Sequence, residues 1–125
     1  MVNALLDTSI IVDLIRGYGP AQEWYLQQTD LGVSRAVWLE ILEGAPNRQS
    51  QQNAINLLRS FELEEITAED MTLATEMLLR FNLSHNIDAF DCIIAALNTR
   101  LEIPLYTRNL KHFVPLLGEL AQAPY

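Results

Sequence analysis

Apolar and polar positions along this chain fall in short blocks, and their spacing switches repeatedly between a buried-strand pattern and a helical one. Val2–Leu6 is apolar except for Asn3 and ends at Asp7, which predicts a buried strand. Thr8 or Ser9 can cap a helix over Ile10–Ile15 that stops at Gly17, and Pro20 suits the first turn of a second helix running to about Gln28. Leu31–Val33 predicts a second strand. Ser34 then caps a helix that closes at Gly44, the usual place for a C-terminal glycine.

The second half repeats the theme. Gln49–Phe61 is helical, with Ile55, Leu58 and Phe61 on one stripe, and Leu63–Ile66 predicts a third strand interrupted by Glu64 and Glu65. Thr67 with Asp70 has the pattern of a capping box, ahead of a helix whose stripe is Leu73, Met77, Leu78 and Phe81. The clearest helix is Asp88–Leu101, where Phe90, Ile93, Ile94, Leu97 and Leu101 follow helical spacing and predict a continuous core face. Ile103–Tyr106 predicts a fourth strand, Asn109 can cap a last short helix, and a weak fifth strand falls around Glu119–Ala121. Strands alternate with helices, mostly two helices between strands. Such connections are long enough for parallel crossovers, so the expected class is α/β, with a central parallel sheet covered on both faces.

Composition narrows the picture. The chain has 125 residues, 50% apolar, which suits one domain over residues 1–125 and excludes intrinsic disorder. Its longest unbroken apolar run, Cys92–Leu97, is far short of the roughly 20 residues a bilayer span needs. Met1-Val2-Asn3 lacks the basic start of a signal peptide, and one cysteine fits a reducing compartment, so a cytoplasmic protein with no membrane contact is expected. The net charge of −8 argues against gripping nucleic acid by bulk attraction. That balance is uneven. Residues 1–99 carry 5 basic and 14 acidic side chains, whereas 100–125 carry 3 and 2.

Sites in open parallel sheets gather beyond the C-terminal strand ends. Asp7 directly follows the first strand, and Thr107, Arg108 and Asn109 follow the fourth. Asp88 and Asp91 stand three apart at the start of the clearest helix, and Glu40 flanks the stripe of Val37, Trp38, Ile41 and Leu42. Each has an ordinary explanation. Asp7 suits a turn, Asp88 and Asp91 complement a helix dipole, and Glu40 suits a solvated face. Together they suggest carboxylates converging on one rim, where repulsion raises their pKa values unless a cation relieves it. Oxygen-only ligands select Mg²⁺ or Mn²⁺, ions able to activate water and neutralise charge on a phosphodiester. His85 and His112 have no second His or Cys at ligand spacing, so neither suggests zinc, and Cys92 sits among core residues. No Gly-rich phosphate loop or dinucleotide fingerprint is present. A haloacid-dehalogenase-type phosphatase wants a second Asp where Ser9 stands, and a phospho-receiver domain wants an Asp where Ile66-Thr67-Ala68 is found.

At these residues the sequence resembles the PIN-domain family, in particular VapC-type ribonuclease toxins of toxin–antitoxin pairs. Four segments carry the resemblance in order: Leu5-Leu6-Asp7-Thr8-Ser9-Ile10-Ile11; Val33-Ser34 through Glu40-Ile41-Leu42-Glu43-Gly44-Ala45; Asp91-Cys92-Ile93-Ile94-Ala95-Ala96; and Leu105-Tyr106-Thr107-Arg108-Asn109-Leu110-Lys111-His112-Phe113. The resemblance selects Glu40 over Glu43 and Asp91 over Asp88. It implies a three-layer α/β/α domain whose parallel sheet has four or five short strands. It further implies a metal-dependent endoribonuclease in which Asp7, Glu40 and Asp91 bind Mg²⁺ or Mn²⁺ and Asn109 fills the fourth acidic position. Asp88, Thr107 and Thr8 or Ser9 are expected to support the site, and Arg108, Lys111 and Arg100 to hold RNA phosphates near it. Expected partners are the RNA substrate, a cognate antitoxin bringing a basic side chain to the acids, and a second copy in a homodimer. Because Asn109 has no charge, the alternative is a weakly or non-catalytic PIN-like interaction module.

Overall fold

The computed structural model describes all 125 residues. The chain runs β1 (Ala4–Leu6), α1 (Thr8–Ile15), α2 (Gly19–Leu26), β2 (Leu31–Ser34), α3 (Arg35–Gly44), α4 (Arg48–Leu58), β3 (Glu62–Glu64), α5 (Ala68–His85), α6 (Ala89–Leu101), β4 (Leu105–Tyr106), α7 (Leu110–Leu117), a 3₁₀ turn (Gly118–Leu120) and β5 (Ala121–Gln122). The strands form one sheet in the order β3-β2-β1-β4-β5, and every pairing is parallel. From β1 the chain steps outward through β2 to β3, then returns across the sheet to β4 on the other side of β1. Right-handed crossovers therefore put α1–α4 on one face and α5–α7 on the other. Contacts within each group follow that division, and α3 also touches α6, so the two helical layers meet. This is the expected three-layer α/β/α arrangement, with five strands. No helix is long and apolar enough to cross a membrane.

The core is filled from the sheet outward. Leu5, Leu6, Ile10, Ile11, Val33, Val37, Leu58, Ile87, Ile94, Leu97, Leu105 and Phe113 are fully buried. The expected core stripe on α6 is only partly observed. Ile94 and Leu97 are buried, but Phe90, Ile93 and Leu101 are half-buried, and Cys92, Ala95, Ala96 and Asn98 are buried instead. Because α6 packs against α3, α5 and α7, its small residues face close neighbours and one apolar stripe does not describe it.

Several boundaries shift for identifiable reasons. The third strand is Glu62–Glu64 rather than Leu63–Ile66, because its register pairs Gly32 with Glu62 and Ser34 with Glu64. As an edge strand, β3 tolerates its glutamates with Glu62 exposed. The preceding helix starts under an Asn47 cap and ends at Leu58, leaving Phe61 to be buried just before β3. The fifth strand lies at Ala121–Gln122, with Glu119 in the 3₁₀ turn before it. Thr8 and Ser9 do not cap α1: Asp7 occupies that position, and its side chain does not cap either. The Thr67–Asp70 capping box is present, as is the Ser34 cap, whose hydroxyl accepts from Val37 N–H at 3.3 Å.

Gly32 shows why the middle of the sheet can be so tight. A Cβ at this position would lie 2.9 Å from Leu5 Cδ2 and 3.0 Å from both the Glu62 carbonyl oxygen and Val2 Cγ1. Backbone cannot yield there without loosening β2 from β3. Gly32→Ala is therefore expected to lower stability by about 1–3 kcal/mol through overpacking, read as a lower urea midpoint with an unchanged slope.

Candidate active site

The sheet order reverses between β1 and β4, and this is where a parallel α/β sheet opens a crevice beyond its C-terminal strand ends. Asp7 leaves the end of β1 and Thr107 leaves the end of β4. Asp7 is 5% exposed, and its Oδ2 accepts from Thr107 Oγ1 at 2.7 Å and Ser9 Oγ at 2.9 Å. The Asp7 N–H donates to the Tyr106 carbonyl at 2.9 Å, so backbone and side chain alike tie the two strand ends together. Ser9 Oγ also accepts from Arg108 N–H at 3.1 Å, and Thr107 Oγ1 from Asn109 N–H at 2.9 Å. Both loops are thus pinned on hydroxyls whose protons point at one carboxylate oxygen.

The other two acids arrive on helices from opposite layers. Glu40 projects from α3, and its Oε1 accepts from Thr8 Oγ1 at 2.8 Å. Asp91, in the first turn of α6 and 8% exposed, has Oδ2 at 2.8 Å from His112 Nδ1 on α7. Each of the three carboxylates therefore commits one oxygen to a protein donor, while Asp7 Oδ1, Glu40 Oε2 and Asp91 Oδ1 take no hydrogen bond from the protein. None of those three oxygens is sealed from solvent.

Their electrostatics are those of crowded like charges. Burial pushes Glu40 up to about 7, the Thr8 hydrogen bond opposing it and the nearby Asp7, Asp91 and Asp88 adding to it. Burial also raises Asp91 to about 6, helped by Asp88 and Asp7 and opposed by His112. Burial carries the Cys92 thiol to about 11, so this core cysteine is no nucleophile. No three acidic, His or Cys side chains close on one point as a ready-made cage. The donor set is nonetheless oxygen-only, partly desolvated and mutually repelling, which fits a hard divalent cation better than any softer ion.

The remaining expected residues divide sharply. Asp88 caps α6, its Oδ1 accepting from Asp91 N–H at 2.8 Å, so it is an exposed capping acid beside the rim. Asn109 stands at the start of α7 with φ −104° and ψ 61°, and its side chain makes no capping hydrogen bond. Arg100 does not belong to the site. It lies at the far end of α6 from Asp91, where Nε and Nη2 grip Asp70 at 2.8 and 3.1 Å. Burial alone would raise Asp70, but Arg100 and the Thr67 N–H outweigh it and hold the carboxyl below its ordinary value. Arg108 sits at the rim through its backbone, yet its guanidinium turns to Asp13 at 2.9 Å. The expected trio of free cations is therefore not found together; Lys111, exposed on α7, is the one of the three with no ion pair. His112 is the contact that sequence reading missed. It has no metal-ligand partner in spacing, although its place in the first turn of the helix after β4 is a usable signal.

The geometry can be set beside known proteins. The family model described as the PIN domain matches residues 4–113. The chain is 32% identical over 128 residues to Ribonuclease VapC19 of Mycobacterium tuberculosis, covering 97% of this chain and 98% of that protein. It is 28% identical over 120 residues to Ribonuclease VapC10 of the same organism, covering 93% and 89%. Among solved structures it resembles a toxin–antitoxin complex from Klebsiella pneumoniae, with TM-score 0.79, 25% identity and 98% of each chain covered. It also shares its fold with Mycobacterium tuberculosis VapC20, a Sarcin-Ricin loop cleaving toxin, at TM-score 0.76 and 19% identity over 93% and 97% of the chains. With five parallel strands, an acidic rim at the β1/β4 reversal and a family match across nearly its whole length, this chain belongs to the PIN-domain family, of the VapC type.

Proposed function

We propose that this chain is a divalent-metal-dependent endoribonuclease, the toxin of a toxin–antitoxin pair acting in the cytoplasm. The observation that carries the reading is the rim itself: Asp7, Glu40 and Asp91, from three separate elements, each with one oxygen held and one free. The names of the relatives, ribonucleases and toxin–antitoxin complexes, support it. Asp7, Glu40 and Asp91 would hold Mg²⁺ or Mn²⁺. Such an ion supplies Lewis-acid activation of water and neutralises charge developing on the scissile phosphodiester.

The chain's own groups set the stage for that chemistry. Thr107 and Ser9 hold Asp7 Oδ2 and leave Oδ1 free, Thr8 does the same for Glu40 through Oε1, and His112 for Asp91 through Oδ2. Asn109 would contribute an uncharged oxygen donor from the start of α7, and Asp88 stands beside Asp91 at the α6 cap. Lys111 is the free cation available to a flanking phosphate. An antitoxin segment carrying a basic side chain would find the same acidic rim attractive, and the −8 chain would favour such a partner. A homodimer belongs to the same reading: Leu79 and Leu83, 81% and 96% exposed and one turn apart on α5, leave an apolar face for a second copy. The second reading, an interaction module without catalysis, is favoured by Asn109 standing where a fourth charge would be and by the open spacing of the acids.

RNA cleavage in Mn²⁺ or Mg²⁺ separates the two readings. Asp7→Asn, Glu40→Gln and Asp91→Asn are each expected to reduce it by about 100-fold or more, and chelator to abolish it. Cleavage that survives chelation and all three changes would sink the mechanism, whereas no cleavage and no divalent-ion binding by calorimetry would favour the module.

His112→Ala should weaken Mn²⁺ binding by about 10- to 100-fold. His112→Asn, whose amide can stand in for Nδ1–H, should recover much of that loss.

The raised carboxyls also fix a sign for metal-free stability. Folded Glu40 and Asp91 hold protons that the unfolded chain has already released, so stability falls as pH rises from about 4.5 towards the folded values near 7 and 6. Glu40→Gln should remove about 1–2 kcal/mol of that decline, screened as it is by solvent. Parallel urea titrations in chelator at pH 5 and 7.5 would show it, and identical pH slopes for the two proteins would contradict it.

A further inference from the structure

Beside the acidic rim stands a group of planar side chains that the metal chemistry does not use. The Arg108 guanidinium carbon lies 5.0 Å from the centre of the Tyr18 ring and 5.6 Å from that of Tyr125. The two rings are 6.0 Å apart, and Trp24 continues the group at 5.8 Å from Tyr125 and 5.2 Å from Tyr106. Asp13 orients it: Oδ2 accepts from Arg108 Nη1 at 2.9 Å and from Tyr125 Oη at 2.7 Å. Trp24 and Tyr125 are half-buried and anchor the C-terminal segment, but the outer members stay open, Tyr18 being 41% exposed and the Arg108 side chain 45%.

Two further facts bear on what this surface does. Its cation is already neutralised by Asp13, so it offers flat π surface more than charge. Its position is tied to the rim, since Arg108 N–H donates to Ser9 Oγ, which itself donates to Asp7. On a chain of net charge −8, with Arg100 held by Asp70 and only Lys111 of the expected cations left without an ion pair, bulk attraction to phosphate contributes little and RNA affinity needs a further source. Stacking supplies it, because every base has a π face and single-stranded bases are free to use it.

We propose that Tyr18 and Arg108 form a stacking platform for an unpaired nucleobase of single-stranded RNA beside the acidic rim. The choice of RNA as ligand rests on the ribonuclease reading above. Tyr18 is the outer, replaceable half: its backbone begins α2, its side chain takes no part in that cap, and Arg108 and Tyr125 keep their Asp13 bonds without it.

The test titrates the full chain, in chelator so that no cleavage intrudes, into a short single-stranded RNA carrying 2-aminopurine. Binding is expected to change the base fluorescence through stacking. Tyr18→Ala should weaken binding by about 5- to 30-fold with little change in melting temperature, while Tyr18→Phe and Tyr18→Trp keep it within about twofold of the parent because the ring face remains. An abasic site in place of 2-aminopurine should cost the parent chain the same factor and cost Tyr18→Ala nothing more. Equal binding by the parent chain and Tyr18→Ala, equal loss in Tyr18→Phe, or parent binding of abasic RNA as tight as of intact RNA would overturn the platform, the last pointing to phosphate contact alone. A stacking signal from a chain that cleaves no RNA when loaded with Mn²⁺ would support the platform and overturn the ribonuclease reading.

Discussion

The Thr107 hydroxyl donates to Asp7 Oδ2 at 2.7 Å, and the rest of the rim depends on that bond. It joins the ends of β1 and β4, the two strands between which the sheet reverses direction. It also settles which oxygen of Asp7 remains free. A buried carboxylate is tolerated only where donors satisfy it, and here the donors are two hydroxyls and no cation. The protein thus fixes this carboxyl group at a strand end without pairing it to a Lys or Arg.

That choice contrasts with the opposite end of α6. Asp70 is 1% exposed and fully answered, by Arg100 and by the Thr67 cap, and its pKa is held low. Asp91 is buried and Glu40 half-buried, neither paired with a Lys or Arg, and their pKa values rise. One helix therefore carries an acid–base pair against its C-terminal turn and, in its first turn, an acid with only one oxygen held. The first arrangement stabilises the packing of α5 on α6. The second stores repulsion that an added cation can relieve, which is the usual mark of a functional site rather than a structural one.

The acidic balance of the chain acquires a specific meaning in this setting. Of three cations expected to serve RNA, Arg100 is bound to Asp70 and Arg108 to Asp13, leaving Lys111. Long-range attraction to a polyanion is weak for such a surface. Under the proposed ribonuclease reading, recognition falls to contacts of short range, and an ordered cation–aromatic group lies next to the rim. It stays outside the acid cluster and is joined to it through Ser9 and the Arg108 backbone N–H.

The sequence by itself determined the alternation of strand and helix, the caps at Ser34 and Thr67, the buried first strand and the candidate acids, because these follow from local spacing, turn chemistry and short motifs. Helix existence was legible for the same reason. It could not place the third strand to the residue, since an edge strand with exposed glutamates lacks the apolar run that marks a central one. Nor could it assign faces on α6, where three neighbouring helices bury small residues that no single stripe predicts. Only the tertiary structure decided the partners of charged side chains: Arg100 with Asp70 is 30 residues apart in sequence, Arg108 with Asp13 is 95, and His112 with Asp91 is 21. Charge and hydrogen-bonding capacity are written in the residue, but the partner that uses them is set by chain crossings, and those depend on how the whole sheet closes.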